Sequence, residues 1–173
     1  MSDNFAKILQ VAEDLSTRGG IVFGSIAWHV QTNHRFREQV KEPVDEIDVN
    51  FPNANIEKIL EGGYEKINGS EFHEVKESLS YNGVSDPYQK FFRRDGIIVD
   101  ATARPLNYEA EIVNFGGYRL FLTTRNQLLK NYERGSKRLD ISEKRRNDYK
   151  KMFYMLESHK PENVIPLIKC RMI

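Results

Sequence analysis

From Asp45 to Phe51 the chain reads DEIDVNF, an alternation of polar and apolar residues that only an extended strand can use. Glu46, Asp48 and Asn50 fall on one face of such a strand, and Ile47, Val49 and Phe51 fall on the other. Burying the apolar face leaves two carboxylates side by side, about 7 Å apart at Cα from the rise per strand residue. Acids that close repel, and a divalent cation between them removes the repulsion while offering open positions to substrate phosphates. Asp45 points to the opposite strand face and is read as a flanking residue.

Ahead of this strand the chain reads RGGIVFGSIAWHV. Ile21, Val22 and Phe23 are strand formers, Gly24 and Ser25 interrupt them, and Ile26 to Val30 continue at helical spacing. Ser25 is therefore expected to cap a helix whose first backbone N–H groups point at whatever sits above the turn. His29, next to Trp28 on that half-buried helix, reads as a packed histidine. A third acid, Asp100, closes the apolar run from Ile97 to Val99 and shares a strand face with Ile98 and Thr102.

A hydrophobic strand, FGS at 23–25 and EID at 46–48, followed by a later strand with its own acid, resembles the signature of the DNA polymerase β-like nucleotidyltransferase superfamily. The resemblance implies that Gly24 and Ser25 hold nucleotide phosphates and that Glu46, Asp48 and Asp100 carry Mg²⁺ or Mn²⁺ as catalytic ligands. It also implies transfer of a nucleoside monophosphate from a nucleoside triphosphate to an acceptor. Further on, LLKNYERGSKRLD resembles a helix and basic turn of antibiotic-modifying and abortive-infection-toxin branches, through Lys130, Lys137, Arg138 and Asp140. In that likeness Lys130 binds the triphosphate. On an amphipathic helix it is equally a solvated lysine. Two further readings stand beside this one: a non-catalytic relative that binds a nucleotide or a partner, such as the toxin component of a two-gene system, and a structural protein whose acids are edge-strand charges.

Charge narrows the choice of acceptor. The 173 residues hold 26 Lys and Arg against 25 Asp and Glu, a net +1 that gives no global attraction to polyanions. A small-molecule or protein acceptor is thereby favoured over long nucleic acid, and the run KRLDISEKRR, with acids interspersed, reads as a solvated face. Cys170 is the only cysteine, so a disulfide framework or cysteine-type zinc site within one chain is excluded. No window approaches the roughly 20 apolar residues of a membrane span, and a cytoplasmic location is the simplest expectation.

The remaining elements follow from periodicity and punctuation. Residues 3–17 read as an amphipathic helix capped by Ser2 or Asp3, with Phe5, Ile8, Leu9, Ala12 and Leu15 on one face. After the polar stretch 34–44 and the acidic strand comes a short helix through Ile56, Ile59 and Leu60, stopped by Gly62-Gly63. YEKING, FHEVKESLSY and YQKFFRRDGIIVDATA predict three or four strands, and AEIVNFGGYRLFLTT predicts a hairpin around Gly116-Gly117. From Thr124 helix formers dominate: a helix from Arg125 to about Glu133 ended by Gly135, then a longer one from Asp140 or Ser142 burying Tyr149, Met152, Phe153 and Leu156. PENVIPLIKCRMI reads as a short final helix from Pro161. The expected fold is α+β, a mixed-sheet nucleotidyltransferase core over 1–123 flanked by helices, with a C-terminal helical segment over 124–173 packed on it.

Overall fold

The computed structural model describes residues 3–33, 46–68, 88–105, 107–159 and 165–170. In chain order the elements are α1 (Asp3–Thr17), β1 (Ile21–Phe23), α2 (Gly24–Gln31), β2 (Glu46–Asn50), α3 (Ile56–Leu60), β3 (Glu65–Ile67) and β4 (Gln89–Arg94). They continue with β5 (Ile97–Thr102), β6 (Ala110–Phe115), β7 (Tyr118–Thr123), α4 (Arg125–Ser136), α5 (Glu143–Ser158) and β8 (Ile165–Cys170). The expected α+β class holds. Eight strands form one mixed sheet in the order β3-β4-β5-β2-β1-β7-β6-β8. Pairing is parallel for β2 with β5 and for β1 with β7, and antiparallel elsewhere. Asp45, the stretch 34–44, the strand expected in FHEVKESLSY and the Ser2 cap lie outside the described residues. Among the described residues, no helix is long and apolar enough to cross a membrane.

Local chemistry accounts for several element ends. Gly116 and Gly117 have φ of 59° and 88°, the pair of left-handed residues that a two-residue hairpin turn needs to match strand twist. Asn55, Thr124 and Ser142 each cap a helix by accepting from the backbone N–H three residues on, at 3.3, 3.2 and 3.3 Å. Two expectations are corrected here. Gly135 does not end a helix but lies inside α4, where a Cβ would come within 2.7 Å of the Tyr149 ring, so its role is to let α4 and α5 approach. The final segment is a strand, not a helix: Ile165–Cys170 pairs with β6 as the outermost strand, and Pro166, which has no N–H to donate, falls where the register shifts beside Val113.

One apolar cluster holds these layers together. It joins Phe5, Ile8, Leu9, Ala12 and Leu15 of α1 to Ile47 and Val49 of β2, Val99 of β5, Leu120 and Leu122 of β7, Trp28 of α2 and Met152 and Leu156 of α5. Inside it, the Trp28 indole donates to the carbonyl of Met152 at 3.1 Å and so fastens α2 to α5. At the sheet's other end, Asp14 of α1 accepts from Tyr64 Oη at 2.7 Å and pairs with Arg18 at 2.8 Å and Arg94 at 2.7 Å. Arg18 and Arg94 also lie over the Tyr64 ring, 5.4 and 5.1 Å from its centroid.

Two outcomes are expected. Trp28→Phe leaves the Met152 carbonyl without its indole donor and shrinks a fully buried side chain, and should lower stability by about 1–3 kcal/mol in chemical denaturation; an unchanged midpoint would contradict this linkage. Partial burial raises the Asp14 carboxyl, but the Tyr64 and Arg18 hydrogen bonds and the Arg18 and Arg94 charges outweigh it and hold the group below its ordinary 3.8. Stability from a depressed carboxyl is complete above that ordinary value and is lost as pH falls through the lowered one. Asp14→Asn should therefore be less stable than wild type near neutrality, with the gap closing as pH falls through the lowered value; a pH-independent gap would argue for packing alone.

Candidate metal centre

Parallel pairing sets Asp48 of β2 opposite Asp100 of β5, with Glu46 opposite Ile98 and Asn50 opposite Thr102. Residues at matched register share a sheet face, so Glu46, Asp48 and Asp100 emerge together while Ile47, Val49 and Val99 are fully buried beneath them. One carboxylate oxygen from each acid lies within 4.8 Å of the other two, and all three residues are half-buried. With Mg–O bonds near 2.1 Å, oxygens around one octahedral ion are about 3.0 Å apart at right angles and about 4.2 Å apart on opposite sides, so the set would have to draw together by up to about 1–2 Å to close on one Mg²⁺. The residue types also fit, since hard divalent cations take oxygen ligands.

The glycine turn abuts this cluster. Gly24 has φ of 65°, and a Cβ built on it would run into Oδ2 of Asp48. A side chain is thus disfavoured twice, by the left-handed backbone and by the carboxylate. Phe23 pairs with Asp48 across β1 and β2, which is how the turn comes to lie there. The expected cap at Ser25 is corrected: α2 begins at Gly24, Phe23 is the N-cap residue without a side-chain bond, and Ser25 sits half-buried in the first turn. Strand β1 runs directly into the helix, leaving no extended serine to cap it. Tyr132 of α4 closes the turn from behind, donating to the Gly24 carbonyl at 3.4 Å. His29 is packed as expected, edge-on to Trp28 and Phe5 with ring centroids 5.1 and 6.1 Å away.

Sequence reasoning missed the residues that brace the acids. Gln89 of β4 donates from Nε2 to both Asp100 oxygens at 2.8 Å each. Asn50 is almost fully buried; its Oδ1 accepts from Thr102 Oγ1 at 2.9 Å and the Arg104 N–H at 3.0 Å, and its Nδ2 donates to the Arg104 carbonyl at 3.1 Å. Burial pushes the nearby Tyr108 hydroxyl up to about 12, an effect that the Asn50 side chain partly offsets. The signal for Asn50 was its place on the acidic face, whereas Gln89 could be found only from the antiparallel register that pairs it with Thr102.

Lys130 is not drawn to this centre. It is exposed and about 160° around the helix from Tyr132, the residue that faces the Gly24 turn, given 3.6 residues per turn. Lys137 and Arg138 have local partners instead, Glu133 at 2.6 Å and Asp140 at 3.0 and 2.5 Å. The Arg138 hydrogen bonds hold the exposed Asp140 carboxyl down at about 2. No protein family, curated protein or solved structure matches the chain.

Gly24→Ala should destabilise the protein by about 1–3 kcal/mol through the left-handed backbone and the displaced carboxylate. In the Asp48→Ala background the same change should cost measurably less, because its steric half is gone. Strict additivity in a double-mutant cycle would show that Gly24 and Asp48 do not meet.

Proposed function

We propose that the protein is a nucleotidyltransferase that moves a nucleoside monophosphate from a nucleoside triphosphate to a hydroxyl acceptor, with Glu46, Asp48 and Asp100 as its Mg²⁺ or Mn²⁺ ligands. The observation that supports this is the convergence of the three acids, each with an oxygen within 4.8 Å of the others, beside a glycine at the start of a helix. The resemblance of FGS and EID to the polymerase β-like signature gives the convergence its chemical reading.

In the proposed reaction the acceptor oxygen forms a bond to the α-phosphorus, the bond from that phosphorus to the bridging oxygen breaks, and pyrophosphate leaves in line. Bound divalent cation neutralises the charge that builds on the leaving pyrophosphate. Asp100 takes the acceptor's proton, and Gln89 fixes the direction of its carboxylate. Gly24, having no side chain, leaves the backbone N–H groups at the start of α2 open to phosphate oxygens, and Ser25 adds a hydroxyl in the same turn. Lys130 receives no contact in this reading. A binding-only relative is the second reading, favoured by the neutral Gln89 amide that already holds both Asp100 oxygens.

Incubation with Mg²⁺ and each common labelled NTP, with and without alcohol acceptors, should release pyrophosphate in a metal-dependent way. Asp48→Asn should abolish the release with thermal stability unchanged or slightly raised, since one member of a repelling set becomes neutral. Metal-dependent NTP binding without release identifies the binding-only relative. Absence of both at millimolar NTP overturns the proposal, and unfolding of Asp48→Asn makes Asp48 a structural ion-pair partner.

A further inference from the structure

Two neighbouring arginines on β4 are used differently. Arg94 turns to the α1 side of the sheet, where it pairs with Asp14 at 2.7 Å and lies over the Tyr64 ring at 5.1 Å. Arg93 alternates to the other face, which is the face of the three acids, because Phe91 two residues before it pairs with Asp100. It is half-buried, yet among the described residues its guanidinium has no ion pair, hydrogen bond or ring partner. Glu65, opposite it on β3, is exposed and makes no ion pair with it. A charge withdrawn from water without a partner costs free energy that a bound anion would recover.

Register fixes where that anion would sit. Arg93 pairs with Ile98 and is the diagonal neighbour of Asp100 across β4 and β5. Diagonal neighbours in an antiparallel pair lie about 7–8 Å apart, within reach of a long side chain. Both Asp100 oxygens accept from the neutral Gln89 amide at 2.8 Å, and the guanidinium makes no ion pair there. Across the sheet the order is the Gly24 turn on β1, Asp48 on β2, Asp100 on β5 and Arg93 on β4. Three strand spacings, about 14 Å, separate β1 from β4. The transfer reading puts nucleotide phosphates at the Gly24 end and the acceptor hydroxyl at Asp100, so Arg93 stands on the acceptor's side.

We propose that Arg93 anchors the acceptor, and that the acceptor is a small molecule carrying a carboxylate or phosphate beside its hydroxyl. A guanidinium is a planar fork that meets either anion with two parallel hydrogen bonds. With its anion on Arg93, the acceptor is held at a second point and its hydroxyl is directed at Asp100. A neutral alcohol has no such anchor. The hydroxyl's role rests on the transfer reading, whereas the anion site rests on Arg93 alone.

The test is isothermal titration of the full chain, without metal or nucleotide, with glycerol 3-phosphate, glycerate and glycerol, and with Mn²⁺ in a separate run. Wild type should bind at least one of the two anions at millimolar concentration and not glycerol, and the anion bound tells phosphate from carboxylate. Arg93→Gln should weaken that binding about tenfold or more, with circular dichroism and Mn²⁺ binding unchanged. Arg93→Lys, which keeps the charge without the fork, should fall between the two. Mg·NTP should bind alongside the anion. The proposal is overturned if wild type binds neither anion, if glycerol binds equally, if Arg93→Gln binds as wild type does, or if Mg·NTP displaces the anion. Absence of wild-type Mn²⁺ binding would strike the transfer reading instead, since the anion titrations use neither metal nor nucleotide.

Discussion

The parallel pairing of β2 with β5 is the constraint on which the site depends. It sets Asp48 directly beside Asp100 on one sheet face, with Glu46 two residues away, and so holds like charges together that side-chain freedom alone would separate. The backbone ladder and the buried Ile47, Val49 and Val99 beneath keep this register. A slip of one residue would drive the carboxylates into the apolar layer and those three side chains out of it, at a cost no surface interaction could offset. Gln89 and the Gly24 turn complete the setting: one donates hydrogen bonds to Asp100, and the other gives up a side chain where Asp48 needs the space.

Around that register the helices act as a backing. Tyr132 reaches from α4 to the Gly24 carbonyl, Trp28 ties α2 to α5, and the close approach at Gly135 packs α4 on Tyr149. Arg125 draws the end of α5 toward the start of α4 by donating to its last carbonyls, where a cation also meets the negative end of the helix dipole. The apolar cluster runs across residue 124 without a break, and β8 returns the chain to the sheet beside β6. The compositional change at that point is therefore a change of secondary structure within shared packing.

Much of this was legible in the sequence for identifiable reasons. The period-two alternation of DEIDVNF could be satisfied only by a half-buried strand, and Gly116-Gly117 between apolar runs admitted little but a tight hairpin. Thr124 and Ser142 announced their helices by capping chemistry, and the end of IIVDATA put the third acid on a separate strand. What stayed hidden depended on contacts far apart in the chain. Gly135 resembles a helix stop until Tyr149 is packed on it; Ile165–Cys170 holds a proline and few residues, and becomes a strand only because β6 has an open edge. Gln89 acquires meaning only through the register of β4 on β5. Ser25 looked like a cap because nothing local revealed that β1 would pass straight into α2.

The central claim is that Glu46, Asp48 and Asp100 form one cation site, and Mn²⁺ binding followed by electron paramagnetic resonance tests it without any nucleotide or acceptor. Wild-type protein should deplete the free Mn²⁺ signal saturably, Mg²⁺ should compete, and both Asp48→Asn and Asp100→Asn should lose binding while circular dichroism stays unchanged. Binding that survives in both variants, or no binding by the wild type at millimolar Mn²⁺, would contradict it.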